Sequence, residues 1–226
     1  TIFQAAALVL PLICAIVLHE VAHGWVARAL GDPTAAEMNR LSLNPLRHVD
    51  PVGTLILPAI LKLSGAPVFG WAKPVPVNQM RLRNPRFGMM AVAAAGPATN
   101  LLLALIAAIT MGLLARSWGA GDLSLASAFV VANLQNFLLL NIFLALFNLL
   151  PLPPFDGSHI VEGLLPRPAA AIYARLRPLG FPLLFLLLLV LPWLFPGLGI
   201  VEKVVIPPVE WLHDRYIAIV RAIAFA

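Results

Sequence analysis

Cysteine is almost missing from this chain of 226 residues: Cys14 stands alone, which excludes a disulfide framework and any cysteine-based metal cluster. Charge is scarce as well. Asp, Glu, Lys and Arg make up 11% of the residues, where about 25% is usual in a soluble domain. That shortage excludes an ordinary soluble enzyme, a disordered chain and a nucleic-acid binder, which need polar or densely basic surfaces. Apolar residues fill the space instead. They are 61% of the chain, and the mean hydropathy is +0.92. The formal charge of +5 then reads as Lys and Arg held on one side of a bilayer, with no nucleic acid as partner. The chain reads as an integral membrane protein whose first partner is lipid.

A bilayer core takes about 20 apolar residues of helix, so charge-free runs locate the spans. Residues 1–18, 87–115, 123–155 and 178–201 carry no charged side chain and predict four transmembrane helices. The run 51–61 is too short to cross and is expected to form a re-entrant segment packed against protein. The first run lacks a basic leading region and a small-x-small cleavage site, so it is read as a span and not as a signal peptide. Residues 28–86 hold eight basic and three acidic side chains, and 156–177 hold three Arg against Asp156 and Glu162. The loop 116–122 has one of each sign. The Lys and Arg bias puts the first two regions in the cytoplasm and the loop outside, in a multi-pass protein of the cell membrane. In the tail, Glu210, His213, Asp214 and Arg221 share a helical face opposite Val209, Leu212, Tyr216 and Ile223. That pattern suits an interfacial helix over 202–226, with a soluble packing helix as the alternative. The whole is expected to be one all-α polytopic domain, with a core over 1–178, the fourth span over 178–201 and the tail beyond.

The chemistry begins where the first run ends. His19-Glu20-Val21-Ala22-His23 is an H-E-x-x-H motif: residues i and i+4 share a helix face, so both imidazoles can hold one metal while Glu20 reaches a water there. A carboxylate at the end of an apolar span is expensive without a partner, which argues for function. Two histidines are an incomplete site, because zinc takes four ligands and a catalytic zinc leaves one position for water. Asp156 is the first acid after the third run, and Pro151, Pro153 and Pro154 before it forbid a regular helix. Backbone groups there must be buried in protein or line a wet cavity, and Gly157 lets the chain turn beside the carboxylate. The residues alone leave Asp156 open between metal ligand and helix cap.

Together these elements resemble the site-2 protease family of intramembrane zinc metalloproteases. H-E-x-x-H at 19–23 and the N-x-x-P-x-P-x-x-D-G element Asn148, Pro151, Pro153, Asp156 and Gly157 carry the likeness. The stretches 44–53, 70–78 and 95–100 look like compact members of that family, without an inserted PDZ-type domain. The resemblance implies one zinc ion held by His19, His23 and Asp156, with Glu20 as general base. It implies a transmembrane protein or peptide as substrate, cut near the cytoplasmic side. Asn148 is a candidate donor to the developing oxyanion. It also falls on one face with Asn133, Asn136 and Asn141; interhelical glue is the simpler reading of those three and an equal alternative for Asn148.

The stretch 68–77 alternates apolar residues with Pro74 and Pro76. It is the candidate substrate-docking strand of a small membrane-associated β element, partly because the resemblance places one there, with an extended loop as the alternative. His48 and Asp50 lie in a Pro-rich loop where capping is commoner than metal binding. His159 is expected beside the site or at the surface, His213 in solvent, and Cys14 in the core, turned away from His19. Competing readings are a catalytically silent relative, against which the intact Glu20 argues, and a metal transporter, whose ligands should recur along several spans.

Overall fold

The computed structural model describes residues 2–65, 70–118, 124–195, 199 and 201–226. Eight helices carry the architecture: α1 (Ile2–Ala29), α2 (Thr34–Glu37), α3 (Pro51–Ser64), α4 (Pro85–Trp118), α5 (Leu125–Asn148), α6 (Asp156–Leu164), α7 (Arg167–Leu194) and α8 (Ile206–Ala224). Of these, α1, α4, α5 and α7 are long and apolar enough to cross a membrane. They correspond to the four runs, with shifted ends. α1 continues past His19 and Glu20 to Ala29, and α7 begins at Arg167, ahead of the expected 178. A charge marks where hydrocarbon ends, whereas helical hydrogen bonding continues into water.

α4 is the centre of the bundle and packs against α1, α5, α6 and α8. Ala104, Ala107 and Ala108 are buried on it and meet Leu138 and Ile142 of α5 and Val205 and Val209 at the start of the tail. Small residues at helical spacing let backbones approach, which is the main source of attraction between helices in lipid. For the tail helix the contacts fit the packing alternative. α8 packs along α4 and α5 and ties its Tyr216 hydroxyl to the Leu101 carbonyl at 3.1 Å. Its apolar face is therefore spent on the bundle, and interfacial placement is not needed to explain it.

Proline leaves a readable trace in α1. Pro11 has no N–H, so the carbonyl of Ala7, four residues earlier, loses its helical partner. The Asn136 side chain of α5 donates to that carbonyl at 2.7 Å. Here the glue reading of the asparagine face holds, and its purpose is specific.

No strand occurs among the described residues, so the expected β element is corrected to an extended segment; positions 68 and 69 lie outside the described residues. The segment is tied to loops and side chains instead of to a neighbouring strand. Trp71 N–H donates to Gly53 O at 3.1 Å, Lys73 N–H to His48 O at 2.8 Å, and Asn78 N–H to the Asp32 carboxylate at 2.6 Å. Arg40 reaches the Lys73 carbonyl at 2.8 Å. The short run expected as a re-entrant segment is the helix α3, capped by Asp50, whose carboxylate accepts from Val52 and Gly53 N–H at 3.0 and 2.7 Å.

Candidate metal centre

His19 and His23 lie one turn apart on the inner face of α1, and both are buried. Asp156 opens α6. It is carried there by the proline-rich turn 149–155, which is not helical, as the prolines require. Gly157 serves close approach, not a sharp turn. A methyl group on it would sit 2.3 Å from Leu149 O and 2.4 Å from Leu150 O, so its absence lets α6 start directly against the end of α5.

Three atoms converge. His19 Nε2 is 3.0 Å from His23 Nε2 and 3.1 Å from Asp156 Oδ2, and His23 Nε2 is 3.4 Å from the same oxygen. The protonation of each ring follows from its other nitrogen. His23 Nδ1 is 2.7 Å from the carbonyl of Val92, which only accepts. His19 Nδ1 faces Asn100 Oδ1 at 2.5 Å. The Asn141 amide nitrogen donates to Phe137 O at 2.8 Å, so its oxygen faces Asn100 Nδ2 at 2.7 Å. That fixes which end of Asn100 meets His19. Both Nδ1 atoms therefore carry the proton, and both Nε2 lone pairs point inward at a carboxylate oxygen. Asp156 Oδ2 is buried without a hydrogen-bond donor.

Three acceptors and no donor make a cation site. Four ligands about 2.0–2.1 Å from a tetrahedral zinc stand roughly 3.3 Å apart, and the three separations here lie close to that. Asp156 adds a carboxylate oxygen to the two imidazole nitrogens, the mixed N and O ligand set that zinc accepts. Space for the ion depends on Gly96 of α4. A methyl group there would lie 2.5 Å from His19 Cε1, His19 Nε2 and His23 Nε2. Among the described residues, His19, His23 and Asp156 are the one group of three ligand side chains whose donor atoms come within 4.8 Å of one another.

A model of peptidase family M50 matches residues 7–129 and 118–191. The chain belongs to family M50. Among its relatives, a candidate zinc metalloprotease, YwhC of Bacillus subtilis, is 40% identical over 185 residues, which cover 82% of this chain and 80% of YwhC. A candidate zinc metalloprotease of Mycolicibacterium smegmatis, Rip2, is 31% identical over 183 residues, covering 79% of this chain and 66% of Rip2. No solved structure matches. The resemblance to site-2 proteases is thus borne out, and membership of family M50 makes the protein a zinc metalloprotease. The acceptor-only cluster of His19, His23 and Asp156 could hold the zinc of this family.

The remaining candidates separate cleanly. Glu20 is half-buried, and its Oε2 accepts from the Val75 main-chain N–H at 2.8 Å. Asn148, at the last turn of α5, gives one amide hydrogen to Leu144 O of its own helix at 2.9 Å. His48 is buried and bonded to Ser42 O at 2.7 Å, and Asp50 caps α3, so this pair builds the loop. His159 is half-buried, with Nδ1 lacking a partner; burial and then the nearby Arg177 hold its imidazole pKa below the usual range. His213 is half-buried, 3.8 Å from Asp214, not fully solvated. Cys14 corrects its expectation outright: it is exposed on the outer face of α1, not in the core. An apolar thiol on a membrane helix needs no protein cover, because lipid accepts it.

In the sequence, Gly96 and Asn100 stood out only as part of the stretch 95–100 that resembles compact family members. Their sites of action were set by which helix α4 meets. Asn141, read as glue, does join α5 to α4, and through the same bond it fixes the Asn100 amide.

Proposed function

We propose that this M50 zinc metalloprotease hydrolyses a peptide bond in or near a transmembrane segment of a membrane protein, on the cytoplasmic side, with Glu20 as general base. The observation that carries the reading is that two of the three clustered side chains, His19 and His23, lie on α1, a helix long and apolar enough to cross a bilayer. A hydrolytic centre placed there meets substrates already in the membrane.

When bound, zinc supplies Lewis acidity that polarises the scissile carbonyl and makes water acidic near neutral pH. Glu20 accepts the proton of the attacking water and delivers it to the departing amine nitrogen. His19 and His23 stay in one tautomer throughout, since Asn100 and Val92 hold their Nδ1 protons. Asn148 keeps a second amide hydrogen for the oxyanion. A substrate strand added to 70–78 would pair with the edge that Val75 does not face. On that edge Pro74 and Pro76 have no N–H, so Ala72 is the donor.

The test is cleavage in cells carrying wild type or Glu20→Gln, read by comparing membrane proteomes. The expected result is one or more membrane proteins that stay full length in Glu20→Gln, while the purified variant keeps about one zinc per chain. Wild-type processing in Glu20→Gln would sink the base assignment.

A further inference from the structure

The extended segment 70–78 ends one of its backbone hydrogen bonds on the side chain just assigned as base. In an extended chain the N–H and C=O of one residue point the same way and those of its neighbours the opposite way. Residues 71, 73 and 75 turn toward the protein: their amides donate to Gly53 O, His48 O and Glu20 Oε2 at 3.1, 2.8 and 2.8 Å. One of these acceptors is a carbonyl in the first turn of α3, one is the carbonyl of His48, and the third is a carboxylate inside α1. Val75 is 7% exposed, so this amide exchanges little with water.

The donor is aimed by a stiff frame. Pro74 and Pro76 fix φ on either side, and a residue before proline is restricted to extended backbone. The frame is anchored at both ends, by Arg40 on the Lys73 carbonyl and by Asp32 on the Asn78 amide. Gly24, one turn beyond Glu20, opens the wall of α1 for it. A methyl group at Gly24 would come within 2.9 Å of Val75 Cγ1 and 2.3 Å of Leu41 Cδ2. Three independent devices therefore serve one N–H: flanking prolines, clamped ends and a glycine on the receiving helix.

We propose that the Val75 main-chain amide is a positioning group for Glu20: it holds Oε2 in place and leaves Oε1 as the oxygen that takes and returns the proton. The proposal rests on Glu20 being the base. A carboxylate on a flexible two-carbon arm has several rotamers, and only one puts an oxygen at the attacking water. A donor that selects this rotamer before substrate arrives lowers the barrier without touching the substrate.

The experiment uses the full-length protein in detergent and, as probe, a synthetic peptide of a membrane protein that accumulates in Glu20→Gln cells. Val75→Pro removes the N–H while keeping extended backbone; Val75→Ala keeps the donor and trims the side chain. Val75→Pro is expected to lower kcat about 10- to 100-fold, with KM and zinc content near wild type, and Val75→Ala to retain most of the turnover. Residue-resolved hydrogen exchange supplies an arm independent of activity. The Val75 amide should exchange slowly in wild type and in Glu20→Gln, whose amide oxygen still accepts, and much faster in Glu20→Ala. Wild-type or raised kcat in Val75→Pro overturns the proposal, and so does unchanged Val75 exchange in Glu20→Ala. Loss of zinc in Val75→Pro makes the contact a structural tie and overturns it too. Wild-type cleavage by Glu20→Gln is a different failure, which removes the base reading while the exchange arm still reports the contact.

Discussion

Gly96 has no chemistry of its own, yet the metal centre depends on what it lacks. Because a β-carbon there would overlap both imidazoles at 2.5 Å, Gly96→Ala should abolish zinc binding while the helices still form. Metal analysis beside circular dichroism checks both halves. Asn100 acts more gently. Asn100→Leu removes the acceptor of the His19 Nδ1 proton, frees the ring to change tautomer, and should weaken zinc binding about 10- to 100-fold, measured by competition with a chelator. His19, Glu20 and His23 stood out in the sequence because helical spacing puts both imidazoles on one face, whereas Asp156 joined them only through the family resemblance. Asn100 was not readable in this sense. Its partner lies on a helix far away in the chain, and a buried amide in an apolar helix carries no mark of which neighbour it will meet.

Elements show the same boundary between local and assembled information. The four apolar runs announced four helices, and the prolines of 70–78 announced that no helix would form there. Pairing partners were not announced: an extended stretch with alternating prolines looks like an edge strand, but its amides go to Gly53, His48, Glu20 and Asp32. The Asp32 clasp carries a pH signature. Burial opposes ionisation of this carboxyl, but Thr34 and Asn78 donate to it and Arg81 lies near, so its pKa is held below the usual range. The stabilisation is therefore full above about pH 4 and is lost as pH falls through the lower folded value. In melts of wild type against Asp32→Asn, the difference should be constant near neutrality and shrink in acid. The repair of α1 by α5 makes a second test at this scale. Asn136→Leu should destabilise by about 1 kcal/mol with Pro11 in place, and by less in a Pro11→Ala background, where the Ala7 carbonyl regains its helical donor. A double-mutant cycle of thermal unfolding in detergent reads the coupling, and additive effects would deny it.

For the whole molecule, the open question is which face of the membrane the centre serves. The proposed orientation, argued from charge bias, has residues 28–86 in the cytoplasm and the segment between α4 and α5 outside. Met80 and Ser124 are exposed in these two regions. Met80→Cys should react with an impermeant thiol reagent only in inverted vesicles, and Ser124→Cys only in intact cells, both in a Cys14→Ser background. The opposite pattern would move the active centre to the outer face.

One further consequence concerns time. Two of the three proposed ligands come from α1 and the third from α6, so the ribosome emits the first two long before the last. A chain paused within α5 has paired imidazoles but no carboxylate to complete the triad. Metal capture then waits for α6, and a copy of this peptidase broken off before it stays harmless to the membrane proteins around it.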